Sequence, residues 1–181
     1  DTGGRGITVA SLGPPTSLTV KGTLVEGATG SGIYVGGSQI TLEASVVRNT
    51  QPLADGSMGR GIDAIPPCFD DGSCMNEVRA SANIVDSLIE GNHDVGIHVS
   101  ASDATVEATV VRGTLPQAFD MNYGRGLNAQ RTCNSGVCDP VARAHLEVRG
   151  SFIADNHDAG VFVSGSEVSI EGVVVRDNIP Q

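Results

Sequence analysis

Tryptophan is missing from this chain, and large aromatic side chains are scarce: 2 Tyr and 4 Phe. That excludes a single bulky globular core. Val, Ile, Ser and Thr beside 24 Gly fit a narrow, layered core of small β-formers instead. Basic residues are also few, 11 Lys and Arg against 21 Asp and Glu, for a net charge of −10. Phosphate binding needs clustered Lys and Arg, so nucleic acid and anionic membrane surfaces are excluded as partners. No apolar run approaches the ~18–20 residues of a membrane span, so direct membrane insertion is not expected. No stripe of 3.6-residue period exists either, which removes amphipathic helices from the expectation.

What the chain does have is a repeat. Ala80–Ser102 holds two short apolar runs, Ile84–Ile89 and Gly96–Val99, around the polar turn Gly91-Asn92-His93-Asp94. The phrase returns at Ala144–Ser166 and, more loosely, at Ser17–Ser38. Ile33, Ile97 and Val161 lie 64 residues apart, as do Leu24, Leu88 and Phe152. Gly4-Arg5-Gly6 recurs as Gly59-Arg60-Gly61 and Gly124-Arg125-Gly126. Short units of 22–23 residues alternate with long units of 41. Inside each unit apolar and polar residues alternate, as in Ile40-Thr41-Leu42-Glu43. Short strands between Gly, Asn, Asp and Ser turns at this period predict an all-β solenoid of about six coils.

The frames Ser87-x-Ile89-x-x-Asn92…Gly96-Ile97-x-Val99 and Ser45-x-Val47-x-Asn49…Gly61-Ile62 resemble the repeats of right-handed parallel β-helix proteins, the fold of pectate lyases and many secreted bacterial surface proteins. The resemblance covers nearly the whole chain. It implies coils stacked in parallel, about 4.8 Å apart. We expect one β-helix domain over 1–181, processed or cut from a longer repeat protein, since the chain opens at Asp1 without Met and shows no signal peptide.

Stacking short on long units aligns residues in columns. Glu26, Arg48, Glu90, Arg112, Ala154 and Arg176 form one; Lys21, Glu43, Val85, Glu107, Arg149 and Glu171 form another. Opposite charges on neighbouring coils fix register. A third column, Leu24, Val46, Leu88, Val110, Phe152 and Val174, is apolar and predicted to face outward. It is a candidate interface with a partner or another copy, unless a bend or a loop covers it. Each long unit carries two insertions, Thr50–Met58 with Thr114–Tyr123 and Ala64–Glu77 with Ala129–Val141. Loops on a rigid scaffold are where function concentrates. One pair holds Cys68 and Cys74, the other Cys133 and Cys138. Two local disulfides, Cys68–Cys74 and Cys133–Cys138, are expected, in an oxidising compartment. The rival, a four-cysteine zinc site, needs both loops to converge with spacings unlike C-x₂-C.

For His93 and His157, inside Asn-His-Asp, turn chemistry is the expected role. Asp63 and His98 fall on adjacent coils in an outward column with Tyr34, Asn128 and Phe162, a candidate acid/base pair without an evident nucleophile or cleft. The β-helix glycoside hydrolases use clustered Asp with Gly-His-Gly and Arg-x-Lys; this chain has Asp70-Asp71 and neither of the others. The acids that pectate lyases gather around Ca²⁺ are here interleaved with Arg. The expectation is therefore a non-catalytic, secreted or cell-surface scaffold displaying loops for adhesion or binding to a polysaccharide or surface protein, with no cofactor. The alternatives are a polysaccharide-processing β-helix enzyme or its degenerate relative, and a self-assembling segment that forms homo-oligomers or stacks end to end.

Overall fold

The computed structural model describes residues 4–68, 73–134, 137–138 and 142–180, with the backbone alone for 133–134 and 137–138. Alternating apolar residues and tight polar turns fold the chain into six coils of three short strands each. The first coil is β1 (Ile7–Ala10), β2 (Ser17–Lys21) and β3 (Leu24–Glu26). The second is β4 (Ser31–Gly36), β5 (Gln39–Glu43) and β6 (Val46–Arg48). The third is β7 (Arg60–Ile65), β8 (Ser81–Val85) and β9 (Leu88–Glu90). The fourth is β10 (Val95–Ser100), β11 (Asp103–Glu107) and β12 (Val110–Arg112). The fifth is β13 (Arg125–Gln130), a small hairpin β14 (Cys133–Asn134) and β15 (Val137–Cys138), then β16 (His145–Arg149) and β17 (Phe152–Ala154). The sixth is β18 (Val161–Ser164), β19 (Glu167–Glu171) and β20 (Val174–Arg176). The first, second and third strands of the coils stack into three parallel six-stranded sheets. No helix occurs among the described residues. This is the parallel β-helix that the repeat predicts.

Register follows the side chains. Leu18 pairs with Ile40 and Val20 with Leu42, and Ile33, Ile62, Ile97 and Leu127 stand in one fully buried column. Leu42, Ile84, Val106 and Val148 line the second sheet's inner face, and Val47, Ile89, Val111 and Ile153 the third's. A one-residue slip would turn each of these columns outward.

The corners need a second device. A turn between sheets takes backbone N–H groups out of the strand ladders, and a buried, unpaired N–H is costly. Many corners answer with a side chain from the next coil. Between the second and third sheets, Thr23 N donates to Ser45 Oγ (3.1 Å), Ser45 N to Ser87 Oγ (3.2 Å), Ser87 N to Thr109 Oγ1 (3.2 Å) and Thr109 N to Ser151 Oγ (3.2 Å). Between the first and second, Ser38, Ser102 and Ser166 accept from Thr16, Ala80 and Ala144. Between the third and first, asparagine does it: Thr50 N donates to Asn92 Oδ1 (3.1 Å) and Thr114 N to Asn156 Oδ1 (3.2 Å). Asn92 Nδ2 also reaches back to Val47 O at 3.2 Å. The glycine that follows Arg60 is set by this crowding: a Cβ on Gly61 would sit 2.5 Å from Gly96 O and 2.8 Å from Asn92 Nδ2.

The outward columns are as expected in register. Lys21–Glu43 (2.6 Å), Arg48–Glu26 (2.8 Å) and Arg112–Glu90 (2.8 Å) pair across coils. These pairs are largely exposed, so each contributes no more than about 1 kcal/mol. The apolar column does face outward on the third sheet. Leu24 (54%) and Val174 (50%) are exposed, while Val46, Leu88, Val110 and Phe152 are half-buried. The insertion boundaries need correction. Ala64 and Ala129 are fully buried inside β7 and β13, in line with Val35 and Val99, so the second insertions begin after Ile65 and Gln130. Strand alternation continues two residues further than the change in composition suggests. Cys68 and Cys74 form a disulfide, which removes the four-cysteine zinc reading. Backbone pairing sets Cys133 opposite Cys138. A bond between them lies outside the described side chains, and Asp70-Asp71 outside the described residues.

Asn92→Ala removes the partner of two buried backbone groups and is expected to destabilise the fold by about 2–4 kcal/mol. Glu43→Ala is expected to change it by less than about 1 kcal/mol. Urea denaturation of both variants checks the contrast.

Candidate functional site

Both pairs of insertions flank the first sheet. The stretches 49–59 and 113–124 enter it from the third sheet, and 66–80 and 131–144 leave it for the second. The first two touch although they belong to different coils: Phe119 N donates to Gly56 O at 3.0 Å. This explains an anomaly in burial. Outward residues on the other two sheets are mostly exposed or half-buried, whereas on the first sheet Tyr34 (9%), Asp63 (1%), His98 (3%) and Asn128 (4%) are buried.

Alternation within β7 sends Ile62 and Ala64 into the core and Asp63 outward; β10 does the same with Ile97, Val99 and His98. Parallel register then sets Asp63, His98 and Asn128 in succession. His98 Nδ1 lies 2.7 Å from Asp63 Oδ1. Arg60 bridges the group, with Nη1 3.0 Å from Asp63 Oδ1 and Nε 2.7 Å from Asp94 Oδ2. The Asp63–His98 neighbourhood expected from the repeat is therefore a direct contact. Arg60 and Asp94 are members that sequence reasoning missed. Their signal was present: Gly-Arg-Gly and Asn-His-Asp each recur, and the Arg of one binds the Asp of the other on the next coil. Arg125 Nε repeats it with Asp158 Oδ2 at 2.7 Å. Turn chemistry thus accounts for only part of Asn-His-Asp. Asn92 holds the corner, Asp94 holds the arginine, and His93 packs its Cβ toward Gly59 and places Nδ1 3.0 Å from Thr50 O.

The electrostatics follow from burial and close charges. Burial alone would raise the Asp63 carboxyl. The Arg60 charge and the His98 hydrogen bond overcome this and hold it far below the usual carboxylate range. Burial would lower Arg60, but Asp63 and Asp94 raise it further. Burial and the Arg60 charge push His98 down, only partly offset by Asp63 and Asp94. An ionised Asp63 is acceptor-only, so neutral His98 carries its proton on Nδ1 and its lone pair on Nε2. Nε2 is buried and has no partner among the described residues, and neither has Asn128 Oδ1. Burial and Asp63 raise the Tyr34 phenol next to this group, against the lowering effect of Arg5, whose guanidinium lies 3.9 Å from the Tyr34 ring centre.

Beside this cluster lies a recess of ≈ 270 Å³, bordered by Ser57 and Met58 of one loop, Gln117 and Tyr123 of the other, and Arg60, Asp94, Asn128 and Gln130 of the sheet. Among the described residues, no three His, Cys, Asp or Glu side chains converge as a metal site would need. Fold and site together define a parallel β-helix with one loop-walled face. No family model, curated protein or solved structure matches the chain.

The repeat supplies its own comparison. Asn128 and Phe162 occupy in the second copy the places of Asp63 and His98, and there Arg125 stacks 3.6 Å above the Phe162 ring centre. Asp63→Asn with His98→Phe is therefore expected to fold. In the wild type, both depressed groups take up protons more readily when unfolded. Stability is thus full above the ordinary histidine pKa of about 6.5 and falls as pH drops, with Asp63 adding to the loss below about 3.9. The double variant should lose less between pH 7 and pH 4, which denaturation midpoints at the two pH values measure. Arg60→Met instead leaves buried Asp63 uncompensated, and a loss of about 3–5 kcal/mol is expected in the same assay at pH 7.

Proposed function

We propose that this chain is a non-catalytic, secreted or cell-surface β-helix scaffold that holds a polymer, a neutral polysaccharide, against the loop-walled face of its first sheet. One observation carries the reading. The loop of 113–124 presents Phe119 (72% exposed) and Met121 (65%), with Tyr123 at the edge of a polar recess. Flat apolar faces beside amide and charged groups suit sugar rings, which pair apolar C–H faces with hydroxyl edges. The net charge of −10 disfavours anionic polymers. The Cys68–Cys74 disulfide ties the loop on the opposite edge and fits an oxidising compartment.

A second reading rests on Asp63 and His98. A neutral histidine oriented by a carboxylate is the arrangement of a general base, so a polysaccharide-processing activity, as the resemblance to β-helix enzymes implies, is the alternative. Release of reducing ends from a bound polysaccharide, lost in His98→Phe, would favour it over the scaffold.

Phe119→Ala and Tyr123→Ala are each expected to weaken binding at least tenfold for whichever of xylan, mannan or β-glucan retards the protein in affinity electrophoresis, with circular dichroism unchanged. Unaltered retardation in both variants would move the binding surface off these loops.

A further inference from the structure

Two hydrogen-bond acceptors stand on adjacent coils without a donor among the described residues. His98 Nε2 and Asn128 Oδ1 are buried and unpartnered, and their residues are strand partners on one face, with backbones on the order of 4.8 Å apart. Both orientations are held from behind. Asp63 accepts a hydrogen bond from His98 Nδ1–H at 2.7 Å, and Asn128 Nδ2 donates to Gln130 Oε1 at 3.2 Å. Arg60 Nη1 also lies 2.9 Å from His98 Nδ1, but a protonated Nδ1 cannot accept from it, and the histidine lone pair stays on Nε2. Asn128 and Gln130 border the recess that the two loops enclose. His98 does not itself line the recess but stands beside Asn128 on the adjacent strand, so a donor from the recess meets Asn128 first and reaches His98 past it.

We propose that His98 Nε2 and Asn128 Oδ1 form a recognition subsite that accepts a hydrogen bond from a hydroxyl of a neutral saccharide. This rests on the polymer-binding reading and names the chemistry of that site. Charge selects the class. With His98 neutral, Arg60, Asp63 and Asp94 leave one net negative charge beside the subsite, and Arg60 is engaged by both carboxylates. A sugar carboxylate meets repulsion, whereas a hydroxyl meets two acceptors and, at its own oxygen, the Gln117 and Gln130 amides. The dyad is not required by the framework, since the second copy stands with Asn128 and Phe162 in place of Asp63 and His98. Acid removes the acceptor. A protonated Nε2 can no longer accept and can itself donate to Asn128 Oδ1. The groups facing His98 are Arg60, which opposes that protonation with burial, and Asp63 and Asp94, which favour it.

The test is ¹⁵N-histidine NMR of the whole chain with calorimetry, using xylohexaose, cellohexaose and mannohexaose as probes. Trigalacturonate and a glucosamine hexamer serve as charged comparisons. The expected result is saturable binding of a neutral hexaose that shifts the His98 Nε2 resonance. Affinity should fall at least tenfold in Asn128→Ala and in Asp63→Asn/His98→Phe, and in wild type it should fall as pH drops far enough below 6.5 to protonate His98. A neutral hexaose that binds wild type and double variant equally, with Nε2 unmoved, would overturn the subsite and leave polymer binding by the loops intact. Binding of a charged comparison alone would overturn the hydroxyl class. No binding of any probe would overturn the subsite and the polymer reading together.

Discussion

The hydrogen bond from a corner backbone N–H to a side chain one coil further on is the constraint from which the rest of this structure follows. Parallel strands satisfy their own ladders, but three corners per coil do not. Serine, threonine and asparagine close many of them, and each does so across 22 or 42 residues of chain. The bond therefore fixes rotation and register at once. It also leaves the intervening sequence free: the same Ser-to-Ser contact is made whether a coil is short or carries two insertions. Loop closure grows only logarithmically with length, so a framework pinned at its corners tolerates long insertions.

That tolerance concentrates chemistry on one face. All four insertions flank the first sheet, and their presence changes the environment of its outward residues from water to a partly enclosed interior. The same alternation that makes Glu43 a solvated residue on the second sheet makes Asp63 a buried one on the first. Burial raises the cost of each ion, and the structure meets it with a compact group in which every charge touches an opposite one.

The framework was legible in the sequence because it is local and periodic. Ile33, Ile97 and Val161 reveal the repeat by position alone, and strand alternation then assigns inner and outer columns, including Leu24 to Val174. The Asp63–His98 neighbourhood could be reached in the same way. What could not be reached was its enclosure, since the insertions share no period with the coils and their packing, as in Phe119 on Gly56, is not written in any spacing. The ion pairs Arg60–Asp94 and Arg125–Asp158 were hidden for a different reason. Each joins two motifs 33 or 34 residues apart, and turn chemistry alone is a sufficient reading of Asn-His-Asp in the sequence.

The internal duplication separates what the fold requires from what it merely permits. Corner residues, inner columns and the Arg–Asp pair recur in both copies, as expected of parts that hold the coil. The residues on the enclosed face do not: Asp63 and His98 in one copy become Asn128 and Phe162 in the other. Replacing a buried ionic group by apolar or neutral residues of similar size is often neutral or stabilising, and the second copy shows that this geometry accepts the replacement. Stability therefore gives no reason for a buried carboxylate, a neutral imidazole with an unpartnered Nε2 and an unpartnered amide oxygen to stand side by side. The hydroxyl donor proposed above is one that would.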